Sequence, residues 1–170
     1  SVQEVMDLTA VPHLATLKTH VPFINFFDGF RTSHEYHKVE VMDMEDLRPL
    51  VDEADIKNFR DRALSPERPV TRGTAENPET FFTHREACNA YYDAIPDVVE
   101  HYLGEISKIT GREYHNFSYY GAEDAENIII LMGSATEAAR EAIDHLVAEG
   151  KKVGMVAVHL YRPFSIKHLF

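Results

Sequence analysis

The sequence has a single cysteine, Cys88, among its 170 residues. One thiol cannot form an internal disulfide, which agrees with a reducing compartment, and we therefore expect a cytoplasmic location. The same scarcity excludes a four-cysteine zinc or iron–sulfur site built from this sequence alone. We interpret Cys88 as a small packed hydrophobic residue rather than as a nucleophile.

Long apolar runs are also missing. No stretch approaches the roughly 18 apolar residues of a membrane-spanning helix, so we expect no membrane association. The longest apolar run, residues 128–132, is typical of a buried strand. The sequence begins with Ser1 and shows no basic segment followed by an apolar one, so no signal peptide is visible. We expect a processed or excised segment of a longer protein.

Positive charge is in deficit, because 17 basic residues face 28 acidic ones and the formal net charge is −11. Such a balance repels phosphate backbones, so we expect no nucleic-acid partner. The simplest interpretation of the excess is solubility.

Motifs for common chemistries are absent or incomplete. The turn at Gly133 and Ser134 lacks both the dinucleotide-binding glycine pattern and the P-loop lysine. We interpret it as a capped structural turn, with anion binding at its free N–H groups as the less favoured alternative. His34 and His37 have the spacing of one helix face but no third ligand, so no metal site is predicted. Ser33 adjoins His34, and side chains of neighbours on a regular element point apart, so a hydrolase is not favoured.

The first part of the sequence predicts helices interrupted by two short strands. Residues 2–18 have helical spacing, with a kink at Pro12 or a break just before it. The apolar run of residues 21–27 predicts a buried strand that starts after Pro22, and residues 38–42 predict a strand with one solvated face. The helical segments that follow have Asp43 or Asp46 as a cap, are broken at Pro49 and resume over 54–64.

The later part predicts a connector, a long helix and a βαβ unit. Residues 65–79 are rich in Pro, Gly and polar side chains, and we expect them to lie in fixed contacts on the surface. Apolar residues over 95–109 repeat at three and four positions, and Gly111 ends that helix. Residues 127–132 and 153–158 predict parallel strands that flank a helix ending at Gly150. Ser134 and Glu137 have the spacing of a capping box for that helix. The fold class is therefore α/β.

The densest polar cluster follows the first predicted strand, where α/β proteins often place functional loops. Arg31 has the geometry to bind a carboxylate or phosphate with two donors. The alternative is an internal network, in which Asp28 caps backbone N–H groups and Arg31 pairs with Glu35. The candidate residues of this pocket or interface loop are Asp28, Arg31, Thr32, Ser33, His34 and Glu35.

This cluster belongs to the motif Phe-Phe-Asp-Gly-Phe-Arg-Thr-Ser-His-Glu, residues 26–35, which closely resembles a signature of pyruvate:ferredoxin (flavodoxin) oxidoreductases. Other segments resemble the same family in the same order, and together they cover essentially the whole sequence. Only Pro12 looks unusual for the family's first helix. These segments are residues 1–8, 72–78, 91–96, 110–114, 121–126, 132–134 and 160–164.

The resemblance implies a specific domain organisation. Residues 1–64 resemble the C-terminal part of a pyrimidine-binding-like thiamine domain, and residues 65–86 resemble an interdomain connector. Residues 87–170 resemble the N-terminal part of a transketolase C-terminal-like domain, which is largely architectural in the family.

The resemblance also implies an activity for the parent enzyme. Members oxidise pyruvate with coenzyme A to acetyl-CoA and carbon dioxide and pass electrons to ferredoxin or flavodoxin. Their cofactors are thiamine diphosphate with magnesium and iron–sulfur clusters, and we expect a homodimer that includes the remaining domains. The family's catalytic and cofactor-binding residues lie outside this segment, so no catalytic or metal residue is assigned here and the isolated segment is expected to be an inactive scaffold.

Two alternatives stay open. One is a related 2-oxoacid oxidoreductase with another substrate. The other is a stand-alone, non-catalytic interaction domain.

Overall fold

Helices occupy the first two thirds of the chain and a small mixed sheet lies in the last third. The computed structural model describes residues 1–73 and 75–169, so Thr74 of the predicted connector and Phe170 lie outside the described residues. The helices before the sheet are α1 (Val2–Leu8), α2 (Ala10–Thr19), α3 (Met44–Leu47), α4 (Glu53–Asp61), α5 (Pro78–Ala87), α6 (Asn89–Asp93) and α7 (Ile95–Thr110).

The predicted first helix is divided into α1 and α2 at Thr9, which confirms a break just before Pro12. Ser1 caps α1 by accepting a hydrogen bond from the backbone N–H of Glu4 at 3.2 Å. Pro12 is the third residue of α2, where a backbone N–H would have no partner within the helix. The proline therefore costs no hydrogen bond, and α2 continues past it.

Two predicted strands are wrong. Residues 21–27 and 38–42 have no regular secondary structure and pair with no strand among the residues that the structure describes. Val21 is buried, and Phe23 and Met42 pack against the same helical core. The other large apolar side chains of the two segments stay exposed, namely Ile24, Phe26, Phe27 and Val41.

The segment after residue 42 follows the prediction closely. The Asp43 carboxylate accepts the N–H of Glu45 at 3.0 Å and caps α3. A short 3₁₀ turn, Arg48–Leu50, contains Pro49, and α4 then begins after its cap Asp52. The break at Pro49 and the second helix are therefore confirmed.

The main core joins α2 to α7. The periodicity predicted for residues 95–109 is confirmed, and Gly111 ends α7 with a φ of 70°, a left-handed conformation that glycine adopts without strain. The buried side chains that fill the contact are Val11, Leu14 and Ala15 from α2 and Val99, Leu103 and Ile106 from α7. Apolar burial therefore ties the beginning of the chain to its middle.

The sheet has the strand order β1-β3-β2, with β1 (Phe117–Gly121), β2 (Asn127–Leu131) and β3 (Val153–Val158). Strands β2 and β3 are parallel, with Ile129 opposite Met155, and helix α8 (Ala135–Ala148) connects them, as predicted. Strand β1 is antiparallel to β3 and was not predicted, because its aromatic residues do not alternate clearly with polar ones. Gly121 faces Gly154 so closely that a Cβ on Gly121 would lie 2.5 Å from the Cα of Gly154.

The prediction that residues 128–132 form a buried strand is half wrong. Residues 128–131 do lie in β2, yet Ile128 is 50% exposed and Ile130 is 65% exposed. Helix α8 packs on β3 and β1, so neither face of β2 is well covered by the described chain. Burial instead falls on β3, where Met155 and Ala157 are enclosed.

The described residues of the predicted connector, 65–73 and 75–79, lie on the surface, and two arginines among them make fixed contacts. Arg68 donates to the carbonyl of Asp61 at 2.9 Å, and Arg72 donates to the carbonyl of Arg62 at 2.7 Å. These bonds satisfy carbonyls that the end of α4 leaves without a partner. Helix α5 begins at Pro78, and a last turn, α9 (Ile166–Leu169), follows the sheet. None of the helices in the described ranges is both long and apolar enough to cross a membrane.

Candidate functional site

The carboxylate of Asp28 joins the predicted functional loop to the turn between β2 and α8. Its Oδ1 accepts the backbone N–H of Ser134 at 3.0 Å and the hydroxyl of Thr32 at 3.2 Å. Its Oδ2 accepts the hydroxyl of Ser134 at 2.9 Å and, at 3.5 Å, the N–H of Thr32. Two donors thus come from the loop and two from a turn more than 100 positions later in the sequence.

This arrangement replaces the predicted capping box of α8. The side chain of Ser134 makes no capping hydrogen bond to its own helix, because the backbone of Ser134 is itself helical, with φ −63° and ψ −20°, whereas a capping residue is typically extended. The predicted capping box with Glu137 is therefore not formed. The hydroxyl of Ser134 donates to Asp28 instead, so a carboxylate from another part of the chain lies at the positive end of α8.

The same hydrogen bonds decide the chemistry of Asp28. Hydrogen bonds lower the pKa of the Asp28 carboxyl to about 2. The bond from the backbone N–H of Ser134 has the largest effect, and the bonds from the hydroxyl of Ser134 and from Thr32 add to it. A general base must be able to take up a proton near the working pH. Asp28 is ionised and fully used as an acceptor at neutral pH, so its geometry suits holding the loop rather than acid–base catalysis.

Gly133 allows the close approach of the carboxylate. Its φ is 76°, and a Cβ at this position would lie 3.3 Å from Oδ1 of Asp28. A larger residue would therefore be strained in its backbone and crowded against the carboxylate. The turn suits the contact with Asp28 and offers little room for a further anion.

The rest of the predicted site faces outward. Thr32 is buried beside Asp28, whereas Arg31 and the other loop residues are exposed. The predicted pair between Arg31 and Glu35 is not formed in the described structure, since Glu35 contacts His37 at 3.1 Å instead. The internal-network hypothesis therefore holds for Asp28 but is wrong for Arg31, which is exposed and does not pair with Glu35.

The histidines of the loop serve local packing. The ring of His34 stacks on Phe30 with centroids 5.6 Å apart, and its Nδ1 lies 2.7 Å from the hydroxyl of Ser33. Adjacent side chains meet here because residues 29–34 form turns rather than a regular element. Among the described residues, no three or more His, Cys, Asp or Glu side chains are placed to hold a metal ion.

A cavity of about 310 Å³ opens next to Asp28. It separates the extended segment that precedes the loop from the ends of β2 and β3. Aromatic side chains and a few polar groups line it, namely Phe26, Phe27, Thr32, Met132, His159 and Tyr161. The loop, the turn before α8 and the end of the sheet thus meet at one place in the fold.

A second polar network lies on the other side of α1 and was not predicted. Asp7 is fully buried, and its carboxylate accepts from Arg112 at 2.6 and 3.1 Å, from the hydroxyl of Tyr114 at 2.7 Å and from Gln3 at 2.8 Å. Burial would raise the pKa of Asp7, but the hydrogen bonds from Arg112, Tyr114 and Gln3 outweigh burial and lower it. Arg112 also reaches Glu40 at 2.6 Å.

Further hydrogen bonds join the helices to the sheet. The ring of His159 at the end of β3 contacts the carbonyl of His115 at 2.7 Å and the carboxylate of Glu4 at 3.4 Å. Asn116 is fully buried and donates from Nδ2 to the carbonyl of Pro96 at 2.8 Å. No sequence motif marks these contacts, since their partners are far apart in the sequence.

Two family comparisons match this chain. The family described as "Pyruvate flavodoxin/ferredoxin oxidoreductase, thiamine diP-bdg" matches residues 1–103. The family described as "Pyruvate:ferredoxin oxidoreductase core domain II" matches residues 125–169. Asp28 falls in the first matched range and Ser134 in the second, so their contact joins the two.

Curated relatives are similar over the full length of this chain. A pyruvate-flavodoxin oxidoreductase of Enterobacter agglomerans is 58% identical over 170 residues, which is 100% of this chain and 14% of the relative. A pyruvate:ferredoxin oxidoreductase of Moorella thermoacetica is 54% identical over 168 residues, 99% of this chain and 14% of the relative. A solved 2-oxoglutarate:ferredoxin oxidoreductase from Magnetococcus marinus matches with 26% identity and a TM-score of 0.38, covering 55% of this chain and 14% of that one. This chain thus spans about 14% of the length of the curated relatives that it matches.

Proposed function

The chain belongs to the pyruvate flavodoxin/ferredoxin oxidoreductase family, and we propose that the whole protein of which it is a part oxidises pyruvate. With coenzyme A as co-substrate, the products are acetyl-CoA and carbon dioxide, and the electron pair passes to ferredoxin or flavodoxin. The observation that carries this proposal is the identity of 58% and 54%, over essentially the whole chain, to relatives named for that reaction.

Within the whole protein, this segment is proposed to act as scaffold. Three of its polar side chains join separate parts of the chain: Asp7 to Arg112, Asp28 to Ser134 and Asn116 to Pro96. Both carboxylates are occupied by internal donors, which supports an architectural rather than a chemical role.

The amino end of α8 does not suit the diphosphate of thiamine diphosphate. The anion-binding end of α8 is already used by the carboxylate of Asp28, which would repel the diphosphate of thiamine diphosphate. The described side chains include no group of three or more metal ligands for magnesium, and the sequence supplies only Cys88 toward an iron–sulfur cluster. We therefore assign thiamine diphosphate, magnesium and the clusters to other parts of the whole protein.

We propose the domain division that the sequence predicts. Residues 1–64 would complete a pyrimidine-binding-like thiamine domain, and residues 87–170 would begin a transketolase C-terminal-like domain. Residues 65–86 would connect these two domains. The support for the last assignment is a parallel pair, β2 and β3, bordered by the antiparallel β1. The whole protein is proposed to be a cytoplasmic homodimer in which the remaining domains cover this segment.

The loop of residues 28–35 is the proposed pocket or interface of this segment. Thr32 anchors it, while Arg31, Ser33, His34 and Glu35 are exposed around it. Arg31 makes no ion pair with any described residue, so its guanidinium is available for a carboxylate or phosphate that lies outside this segment.

The proposal is tested with the whole protein purified without oxygen. Reduction of ferredoxin or flavodoxin is measured with pyruvate, with 2-oxoglutarate and with pyruvate lacking coenzyme A. We expect reduction that needs both pyruvate and coenzyme A. A clear preference for another 2-oxoacid would favour a related 2-oxoacid oxidoreductase. No turnover of any 2-oxoacid, together with expression of these 170 residues as a separate product, would favour a stand-alone interaction domain.

A further inference from the structure

The loop of residues 29–35 has few anchors. Its internal hydrogen bonds are local, such as those from the N–H groups of His34 and Glu35 to the carbonyl of Arg31, each at 3.1 Å. Phe30 is 88% exposed, so it contributes little burial, and its φ of 58° is unfavourable for a bulky residue. A strained, exposed turn persists only when its surroundings hold it in place.

The surroundings that hold it are concentrated at one carboxylate. We propose that Asp28 is a positioning residue, whose carboxylate folds loop 29–35 against the amino end of α8 so that Arg31 faces outward only while loop and helix are in contact. This inference rests on the proposed function, because it takes that loop as the functional part of the segment. Through Asp28, the loop becomes sensitive to the position of a helix in the other family-matched range.

The chemistry of the contact favours a carboxylate over other acceptors. Both oxygens of Asp28 are used, and each accepts one donor from Thr32 and one from Ser134. An amide side chain has only one acceptor oxygen, so it could not accept from both residues in the same way. The charge also lies at the positive end of a 14-residue helix, where an anion is stabilised.

Thr32 transmits the contact to the loop. It is the buried residue of the turn, whereas Gly29, Phe30 and Arg31 are exposed. Its N–H and its hydroxyl both point at Asp28. Loss of the carboxylate would release Thr32, which is the only buried residue among residues 29–35 in the described structure.

The test uses the full 170-residue chain and the rate of tryptic cleavage after Arg31, followed by mass spectrometry. Asp28→Asn should raise this rate on the order of tenfold, because charged hydrogen bonds that close the turn are lost. Ser134→Ala should raise it less, since the backbone N–H of residue 134 remains. Asp43→Asn is the matched control, because Asp43 caps the separate helix α3, and it should leave cleavage after Arg31 unchanged.

The double variant separates positioning from a general loss of structure. If Asp28 acts through Ser134, Asp28→Asn combined with Ser134→Ala should be cleaved no faster than Asp28→Asn alone. The proposal would be overturned if the two substitutions multiply each other's effect on the cleavage rate. It would also be overturned if a folded Asp28→Asn chain is cleaved at the wild-type rate. Should Asp28→Asn fail to fold, hydrogen exchange over residues 29–35 in Ser134→Ala decides: faster exchange supports the contact and unchanged exchange overturns it.

The proposed function can fail independently. Arg31→Ala in the whole protein tests the role of the loop by the rate of pyruvate oxidation, whereas proteolysis of the 170-residue chain involves no substrate. Normal activity of Arg31→Ala with accelerated cleavage of Asp28→Asn would refute the functional role of the loop and support the positioning by Asp28. Reduced activity of Arg31→Ala with wild-type cleavage of Asp28→Asn would refute the positioning and support the functional role of the loop.

Discussion

Arg112 and Asp7 lie 105 positions apart in the sequence and form a two-pronged ion pair, with Nε 2.6 Å from Oδ2 and Nη2 3.1 Å from Oδ1. The carboxylate of Asp7 is fully buried, while the guanidinium is partly exposed. The pair therefore connects α1 to the segment between α7 and β1. Replacing both partners of a buried ion pair by apolar residues often changes the stability little, whereas removing one partner is strongly destabilising.

Replacing Asp7 by Ala should lower the free energy of unfolding by about 3 kcal/mol, because the buried hydroxyl of Tyr114 and the partly exposed guanidinium of Arg112 lose their acceptor. The measurement is urea denaturation followed by circular dichroism. Lys57→Ala is the control, since Lys57 pairs with Asp61 on the exposed surface of α4 and its loss should cost no more than about 0.5 kcal/mol. Equal effects of the two substitutions would contradict the structural importance of Asp7.

Acid should weaken the contact between Asp28 and Ser134. The backbone N–H of Ser134 contributes most to lowering the pKa of Asp28 from 3.8 to about 2. Since the folded chain binds this proton less tightly than the unfolded chain, the stabilisation is complete above about pH 3.8 and is lost as the pH falls toward 2. Over that window, wild type should lose stability more steeply than Asp28→Asn. Parallel curves from acid denaturation would show that the Asp28 carboxylate does not contribute.

The contact between α2 and α7 should carry a large part of the stability. Ile106 is completely buried in it, so Ile106→Ala should cost about 3 kcal/mol through lost burial and an incompletely filled cavity. Ile130→Ala, at an exposed position of β2, should change the free energy of unfolding by no more than about 0.5 kcal/mol. Thermal denaturation of both variants checks this, and a larger loss for Ile130→Ala would contradict the described core.

The exposed strand β2 should make the isolated 170-residue chain associate. Its outer edge pairs with no strand in the described residues, and its isoleucines are half exposed or more. Exposed apolar edges of this kind recruit other chains. Light scattering over a range of concentrations should show a mass that rises with concentration, and Ile129→Lys should reduce it. Thr83→Lys, an exposed position on α5, is the control, and a monomer at all concentrations would refute the prediction.

The sequence predicted the parts of the fold that depend on local patterns. The helical period over residues 95–109 and the βαβ order of residues 127–158 both rest on neighbours within a few positions, and both are confirmed. Short apolar runs are ambiguous: in residues 21–27, Val21 and Phe23 pack on the helices, but the run forms no strand in the described structure. Strand β1 was missed for the related reason that its five residues lack a clear period.

The site was less predictable, because its contacts join distant residues. Asp28 was recognised as a candidate and as a cap of backbone N–H groups, but its partner Ser134 lies 106 positions away. The local rule made Ser134 the extended N-cap of its own helix, whereas its backbone is helical and its hydroxyl donates to the distant carboxylate. Asp7 and Arg112 have no local signal at all, since a buried ion pair is recognised only once the fold brings its halves together.

The central claim, that this segment is scaffold and holds none of the cofactor chemistry of its family, is tested most directly by calorimetric titration. Thiamine diphosphate with magnesium is added to the 170-residue chain, and release of carbon dioxide from pyruvate is measured in the same samples. We predict no saturable heat and no carbon dioxide above the level of the cofactor alone. Saturable, magnesium-dependent binding accompanied by decarboxylation of pyruvate would contradict the claim.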